Sequence, residues 1–421
     1  MTPGTTTTGT YRRTICRFCN GSRLEKFLDL GDMPLAGGFL RPEDFPKEER
    51  YPLEVAFCTD CTLVQVLNVV AADVLFKNYF YYSSAIRTLV DHFRDFAREI
   101  HERFALGQNS LAVEIGCNDG VLLRPLAQLG VRCVGVDPAT HVVQSIRNPT
   151  FEVVNACFTE QIAGHVRDRW GGADAILSSY SFAHIDDMIG VMKGVKTLLK
   201  PGGVFVFEVY YLGLVLEELQ YDMIYHEHMS YYSLKALETF LRAFDMEIFD
   251  VRRIPLRAGT IRYYARNIGA GSQPITAGVE QLRSHERERR YDSVETYLAY
   301  AQKVNGTKSR LLEVLKNLKA AGKRLIGYGA SGRATVIMNY CGIDATYLDS
   351  VVDDAPAKHG FYTPGTHLPI VPWEMAEQKN PEYALLFAWS FIDEVLRRRE
   401  GYTRAGGKFI VPLPEVRTVP A

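Results

Sequence analysis

The chain has 421 residues, 47% of them hydrophobic and 23% charged, with a formal net charge of -1. That length exceeds one ordinary core and predicts two or three domains of globular composition. The balanced charge leaves no basic footprint for nucleic acid and no acidic tail, and no apolar run approaches the length needed to cross a bilayer.

The N-terminal stretch MTPGTTTTGTYRRT is polar and Thr-rich and lacks the apolar segment of a secretory signal, so a frayed terminus and a cytoplasmic location are expected. In that compartment the eight cysteines read as metal ligands or buried thiols, not as disulfides. Four of them form two C-x-x-C pairs, Cys16/Cys19 and Cys58/Cys61. Each pair places two thiolates on one tight turn, and together they supply the four soft donors of a tetrahedral zinc. A gap of 38 residues separates the pairs and calls for a folded insertion. A site closed by four thiolates stabilises structure and performs no catalysis. YPLEVAFC and LVQVLNVV read as strands of this small zinc domain, placed over residues 1–75. Cys117, Cys133, Cys157 and Cys341 are unpaired and read as core or turn residues.

YFYYSS follows and offers Tyr79 and Tyr81 from a lid, ahead of Ile86, Leu89, Val90, Phe93, Phe96 and Ile100 at helical spacing. From Leu111 onward, strands alternate with helices. LAVEIG, VRCVGVDP, ADAILSSYS and VFVFEVYY read as strands, VLLRPLAQLG and DMIGVMKGVKTLL as helices, and KPGG as a turn. The rhythm predicts an α/β fold over 76–270, a doubly wound parallel sheet covered on both faces. The charged segment from Gln281 to Gly322 reads as a helical linker, and KRLIGYGASGRATVIMNYCG opens a second, Rossmann-like unit within 271–421.

In LAVEIGCNDG a buried strand delivers Glu114 to its C-terminal end, and Gly116 and Gly120 let the backbone pass close to a ligand. Asp137 ends the next strand, where an acidic side chain can take both hydroxyls of a ribose. The E-x-G-x-x-x-G pattern lacks the pyrophosphate-hugging glycines of dinucleotide sites. Over residues 108 to 255 the sequence resembles the class I S-adenosylmethionine-dependent methyltransferases, with LLKPGGVFVFEV as the late helix-turn-strand. That resemblance implies Glu114, Gly116 and Asn118 on the methionine side of the cofactor, Asp137 on its ribose, and Asn155 and Ala156 beside its adenine.

Past VFVFEVYY, two histidines, a glutamate and several tyrosines crowd into YDMIYHEHMSYYS. Histidine can serve as a base near neutral pH, and phenolic hydroxyls can hold a developing oxyanion. Glu227 can orient an imidazole or bind a substrate hydroxyl. The H-x-H pair also raises a metal, for which a further donor is missing from the sequence pattern. His184, in SYSFAHIDD, follows another strand and is expected at the same cleft.

Paired C-x-x-C, YFYYSS, EIGCNDG, SFAHI, YHEH and GYGASGRA occur in that order. With these motifs the chain resembles the sugar C-methyltransferases that act at C-3 of nucleotide-linked 4-keto-6-deoxyhexoses, over nearly its whole length. The resemblance implies His228 as the base and puts Tyr225, Glu227, His184 and Tyr79 around the sugar, with Tyr225 or another donor on the enolate oxygen. It also favours a thymidine nucleotide, with guanosine as the other choice.

GYGASG fits G-x-G-x-x-G at Gly327, Gly329 and Gly332, after a strand and before a helix. Read alone, this is a dinucleotide fingerprint, and it defines the alternative function of an NAD-dependent oxidoreductase. Against it, the remaining chain is short for a full dinucleotide fold and carries no hydride-transfer site. A helix N-terminus binds any phosphate, so Gly329, Ser331, Gly332 and Arg333, with Lys358, are expected on the diphosphate of a nucleotide sugar. The substrate is expected between the central and C-terminal units, with the zinc segment as a lid and the protein a monomer.

Overall fold

The computed structural model describes residues 10–75, 82–147, 149–256, 259–271 and 274–420. The N-terminal strands are β1 (Tyr11–Arg12), β2 (Leu24–Pro34), β3 (Arg50–Cys58), β4 (Val64–Val66) and β5 (Asn68–Val69). β2, β3 and β4 form an antiparallel meander, and β1 pairs with β5. Leu53, Val55 and Phe57 alternate along β3 and are all buried, so the period-two pattern of YPLEVAFC faces a core.

The central sheet has parallel strands β6 (Leu111–Ile115), β7 (Arg132–Val136), β8 (Glu152–Val154), β9 (Ala173–Ser179) and β10 (Leu199–Tyr210). The two-residue β11 (Ser230–Tyr231) leaves this sheet, whereas β12 (Met246–Ile254) and β13 (Thr260–Asn267) return antiparallel at its edge. The order is β12-β13-β10-β9-β6-β7-β8 among the described residues. The chain winds outward in opposite directions from β6 and β9, so their C-terminal ends bound the crevice where open α/β sheets bind ligands. Every residue of β6 is buried, as its continuous apolar run requires with helices on both faces.

One expectation changes. KPGG is not a free turn: Lys200–Gly203 lies inside β10, and the register on β9 skips between Leu199 and Val204. A bulge takes up the extra residues that the sequence pattern presented as a turn. The charged linker is helical, in two pieces. Helices Ala277–Glu288 and Val294–Ala320 are separated by a break in which Arg290 is left-handed, at φ 55°. The first buries Val279 and Leu282 on the central core, and the second buries Tyr297, Tyr300, Val304, Leu311 and Leu315 on another. Two helices serving two cores need a corner between them.

The C-terminal strands are β14 (Leu325–Tyr328), β15 (Val351–Val352), β16 (Ile370–Val371), β17 (Tyr383–Leu386), β18 (Lys408–Val411) and β19 (Arg417–Val419). Their order is β16-β15-β14-β17-β18-β19, parallel except for β19. Phe27, Val55 and Val66 of the N-terminal sheet share one apolar cluster with Leu325, Ile337 and Leu385. β11 extends that N-terminal sheet by pairing with β4, Ser230 opposite Gln65 and Tyr231 opposite Val64. The segment carrying YHEH is therefore anchored in a sheet other than the one that precedes it. No described helix is long and apolar enough to cross a membrane.

Candidate active site

The sulfur atoms of Cys16, Cys19, Cys58 and Cys61 all lie within 4.8 Å of one another. Zinc–sulfur bonds of about 2.3 Å at tetrahedral angles require sulfurs roughly 3.8 Å apart. Cys16 and Cys61 stand at 3.5 Å and Cys19 and Cys58 at 3.6 Å, so the four thiolates fit the ion. Both knuckles turn alike: Asn20 N–H reaches the Cys16 carbonyl at 3.1 Å and Thr62 N–H the Cys58 carbonyl at 2.8 Å. Gln65 Nε2 donates to Cys16 Sγ at 3.2 Å, an outer-shell bond that suits a charged sulfur. No other group of three or more metal-ligating side chains is found among the described residues. In particular, His226 and His228 diverge: His226 Nε2 meets the Pro52 carbonyl at 3.1 Å, away from His228.

The glycine turn after β6 lies at the sheet crevice. Gly116 and Gly120 have φ of +74° and +77°, and a Cβ at Gly116 would come within 2.4 Å of Ser181 Cβ. Asn118 Oδ1 and Asp119 Oδ2 accept the backbone N–H groups of Ser83 and Ser84 at 2.9 and 3.1 Å, joining the turn to the segment that enters the Arg87–Arg103 helix. Asp137 accepts Asn118 N–H and Ala139 N–H, both at 2.8 Å. Asn155 is more peripheral than expected: its amide donates to the Asp137 carbonyl at 2.8 Å and accepts from Thr140, and the side chain is exposed beside half-buried Ala156.

Glu114 is buried, and desolvation, reinforced by Asp137, Asp119 and Glu208, holds its carboxyl well above the usual carboxylate range. Glu114 Oε2 and Asp119 Oδ1 are buried without hydrogen-bond partners among the described residues. Glu208 is paired with Arg262 and His92, but Glu114 and Asp119 keep buried oxygens that fit a ligand bringing positive charge. S-adenosylmethionine brings two, on its amine and its sulfonium.

The YHEH loop lies on the far side of the loop that follows β9. Ser181–His184 is a single 3-10 turn, preceded by Tyr180 in the left-handed region at φ 63°. Ser181 Oγ donates to the Ile115 carbonyl at 2.6 Å beneath the glycine turn, while the His184 ring stands 5.1 Å from that of His228. One short turn thus touches both the cofactor crevice and the histidine cluster. Met229 N–H reaches the Ala183 carbonyl at 2.8 Å and ties the two loops together.

His228 is buried beneath Tyr225, whose ring centroid is 4.0 Å away, and Tyr210, at 4.9 Å. Its Nδ1 lies 2.8 Å from the Met223 carbonyl, which can only accept. Nδ1 therefore carries the proton, and Nε2 keeps its lone pair. Burial, reinforced by His184 and Arg333, lowers the His228 pKa well below its ordinary value. Burial also lowers that of His184, to about 4, and raises that of Glu227 to about 7. Tyr79 and Tyr81 lie outside the described residues.

The second glycine loop meets this cluster from the C-terminal unit. A Cβ on Gly332 would stand 3.7 Å from Tyr225 Cζ and 3.2 Å from Ala36 Cβ of the N-terminal unit. Ser331 caps the Gly332–Cys341 helix by accepting Ala334 N–H at 3.3 Å, and Gly329 lies against Ala388. The two cationic side chains expected on a diphosphate have internal partners. Arg333 binds buried Asp222 at 2.8 and 3.1 Å, and Lys358 binds the Ala330 carbonyl at 2.7 Å and Asp353 at 3.0 Å. Asp353, after β15, holds the position of the ribose-binding acid in a dinucleotide fold, and Lys358 occupies it.

Sequence reasoning missed Tyr180, Tyr210 and Asp222. Tyr210 was legible in principle, because it ends the VFVFEVYY strand two residues after Glu208 and shares its face. The left-handed Tyr180 and the Arg333 partner Asp222 left no local signal.

Three family models match the chain: a zinc binding domain over residues 16–76, a methyltransferase domain over 90–251, and a C-methyltransferase C-terminal domain over 255–414. The C-methyltransferase NovU of Streptomyces niveus is 32% identical over 96% of this chain and 97% of its own. A ubiquinone biosynthesis O-methyltransferase of Methylobacterium sp. (strain 4-46) is 32% identical over 27% of this chain and 48% of its own. Among solved structures, the glycopeptide N-methyltransferase MtfA matches at 16% identity and a TM-score of 0.34, over 41% of this chain and 94% of its own. The 1,6-didemethyltoxoflavin-N1-methyltransferase of Burkholderia thailandensis matches at 17% and 0.35, over 51% and 95%. The nicotinamide alternative gives way to these findings: the chain is an S-adenosylmethionine-dependent methyltransferase with a structural zinc site, and it belongs to the C-methyltransferase family.

Proposed function

We propose that the protein methylates C-3 of a nucleotide-linked 4-keto-6-deoxyhexose, preferably a thymidine diphosphate sugar, through an enolate. The observation that carries this reading is the Ser181–His184 turn, which packs on the cofactor crevice at one end and on the His228 cluster at the other. A base and an electrophilic methyl must flank one carbon, and that juxtaposition meets the requirement.

Carbon becomes nucleophilic when a neighbouring carbonyl acidifies its hydrogen. His228 is the base: Nδ1–H is committed to Met223, so Nε2 takes the C-3 proton. Tyr225 covers the imidazole and lines the sugar site with Glu227, His184 and Tyr79. Burial raises the Glu227 pKa to about 7, so a protonated fraction persists at neutrality that can donate a hydrogen bond to a sugar oxygen. When bound, S-adenosylmethionine supplies the methyl group as an electrophile. Glu114, Gly116, Asn118 and Gly120 hold its amino-acid end, Asp137 its ribose, and Asn155 and Ala156 flank its adenine. Ser331 and Gly332 offer the amides of a helix start to the diphosphate, while Gly329, whose N–H donates to the Val352 carbonyl at 2.7 Å, contributes only the left-handed turn that lets the backbone come close. Arg333 and Lys358 enter this role only by exchanging their internal partners.

A panel of nucleotide-linked 4-keto-6-deoxyhexoses, incubated with S-adenosylmethionine and read by mass spectrometry and NMR, tests the proposal. It requires one added methyl, on carbon 3. Methylation at oxygen or nitrogen, or no methylation of any keto sugar, would refute it.

A further inference from the structure

Tyr210 ends β10 at the C-terminal edge of the central sheet, where ligands of such sheets bind. Its ring lies 4.9 Å from that of His228 and 5.5 Å from that of Tyr180. Tyr225 and Tyr210 thus both line the imidazole. The Tyr210 phenol is within electrostatic reach of both Glu227 and Arg333, which come from the YHEH loop and the C-terminal unit. Near these groups, Gly332 of the C-terminal unit meets Tyr225. The residue is half-buried, and among the described residues its hydroxyl makes no hydrogen bond within the protein. Two other tyrosine hydroxyls near His228 do: Tyr231 donates to the Met223 carbonyl at 3.2 Å and Tyr232 to the Phe182 carbonyl at 2.8 Å.

A sheltered phenol without a hydrogen-bond partner among the described residues, beside a base whose free nitrogen needs a substrate, is placed to serve that substrate. We infer that Tyr210 is a catalytic residue: its hydroxyl donates a hydrogen bond to the substrate carbonyl oxygen that becomes the enolate oxygen. The inference rests on the enolate reading above. When His228 Nε2 takes the proton from carbon 3, the C–H electron pair becomes the new carbon–carbon double bond. The carbonyl π pair moves to oxygen, where the Tyr210 hydroxyl meets the charge. Tyr210 keeps its own proton, since burial raises its pKa above the ordinary value of a phenol.

The test separates this step from methyl transfer. The 4-keto sugar is incubated in D2O with the full-length enzyme and S-adenosylhomocysteine, and deuterium wash-in at carbon 3 is followed by NMR. Wild type washes deuterium in, and His228→Asn abolishes it. Tyr210→Phe lowers both wash-in and turnover by about 100-fold, the cost of one oxyanion donor, with S-adenosylmethionine affinity and Tm unchanged. If Tyr210→Phe exchanges and turns over within twofold of wild type while His228→Asn does not exchange, the Tyr210 role falls and the base stands. If His228→Asn exchanges normally, the enolate reading falls with it. Should Tyr210→Phe not fold, 3-fluorotyrosine at position 210 keeps shape and hydroxyl but is more acidic. A changed wash-in rate with a shifted alkaline limb then supports the role, and an unaltered profile overturns it.

Discussion

Arg17 sits between two zinc ligands, yet its guanidinium donates Nε to Asp186 at 2.8 Å, two residues beyond His184. The Arg17 side chain is fully buried, and Arg13 reaches the same carboxylate at 3.0 Å. The metal knuckle therefore holds the loop that bridges the cofactor crevice and the histidine cluster.

This link makes a structural zinc matter to turnover. Metal analysis should find about one zinc per chain, following the four-ligand rule. Chelation should lower Tm and activity together. Arg17→Met should retain zinc but lose activity, because the His184 loop is released. Full activity after complete zinc removal would contradict the coupling.

A second clamp crosses to the C-terminal unit. Arg333 grips Asp222 with two hydrogen bonds, Trp389 Nε1 donates to the same carboxylate at 2.8 Å, and Asp222 is wholly buried. Met223, whose carbonyl orients His228, is the next residue. Arg333→Leu leaves a buried charge with only an indole partner and should cost on the order of 3 kcal/mol. Denaturant unfolding reads that loss, and turnover should fall further than S-adenosylmethionine affinity. Unchanged stability would mean that the pair does not form in solution.

Glu227 supplies a pH signature. Burial raises its folded-state pKa to about 7, above an unfolded value near 4.5. The folded protein thus favours the protonated form. The associated stability is fully present below about pH 4.5 and is lost as pH rises through about 7. Glu227→Gln cannot ionise, so its stability relative to wild type should improve between pH 5 and pH 8 by roughly 2–3 kcal/mol. Melting curves at the two pH values compare the proteins, and parallel behaviour would show an ordinary, solvated carboxyl.

Much of the architecture was legible because it rests on local periodicity. The fully buried β6 run, the C-x-x-C turns and the glycine turn each carry their own signal. What stayed hidden depends on pairing across long separations. β11 joins a sheet more than 160 residues upstream, Tyr231 opposite Val64, and no local pattern in HMSYY announces that partner. The basic residues beside the second glycine loop illustrate the same limit. Arg333 and Lys358 read as phosphate ligands because the sequence does not display Asp222 and Asp353 beside them. Tyr79 falls outside the described residues, so its place in the site rests on the family resemblance alone.

The most direct measurement is turnover of His228→Asn beside its affinity for S-adenosylmethionine. Asparagine keeps a donor for the Met223 carbonyl but has no basic nitrogen. The account predicts a rate lowered by about 100-fold or more, with cofactor affinity within twofold of wild type. Near-normal turnover by this variant would contradict it.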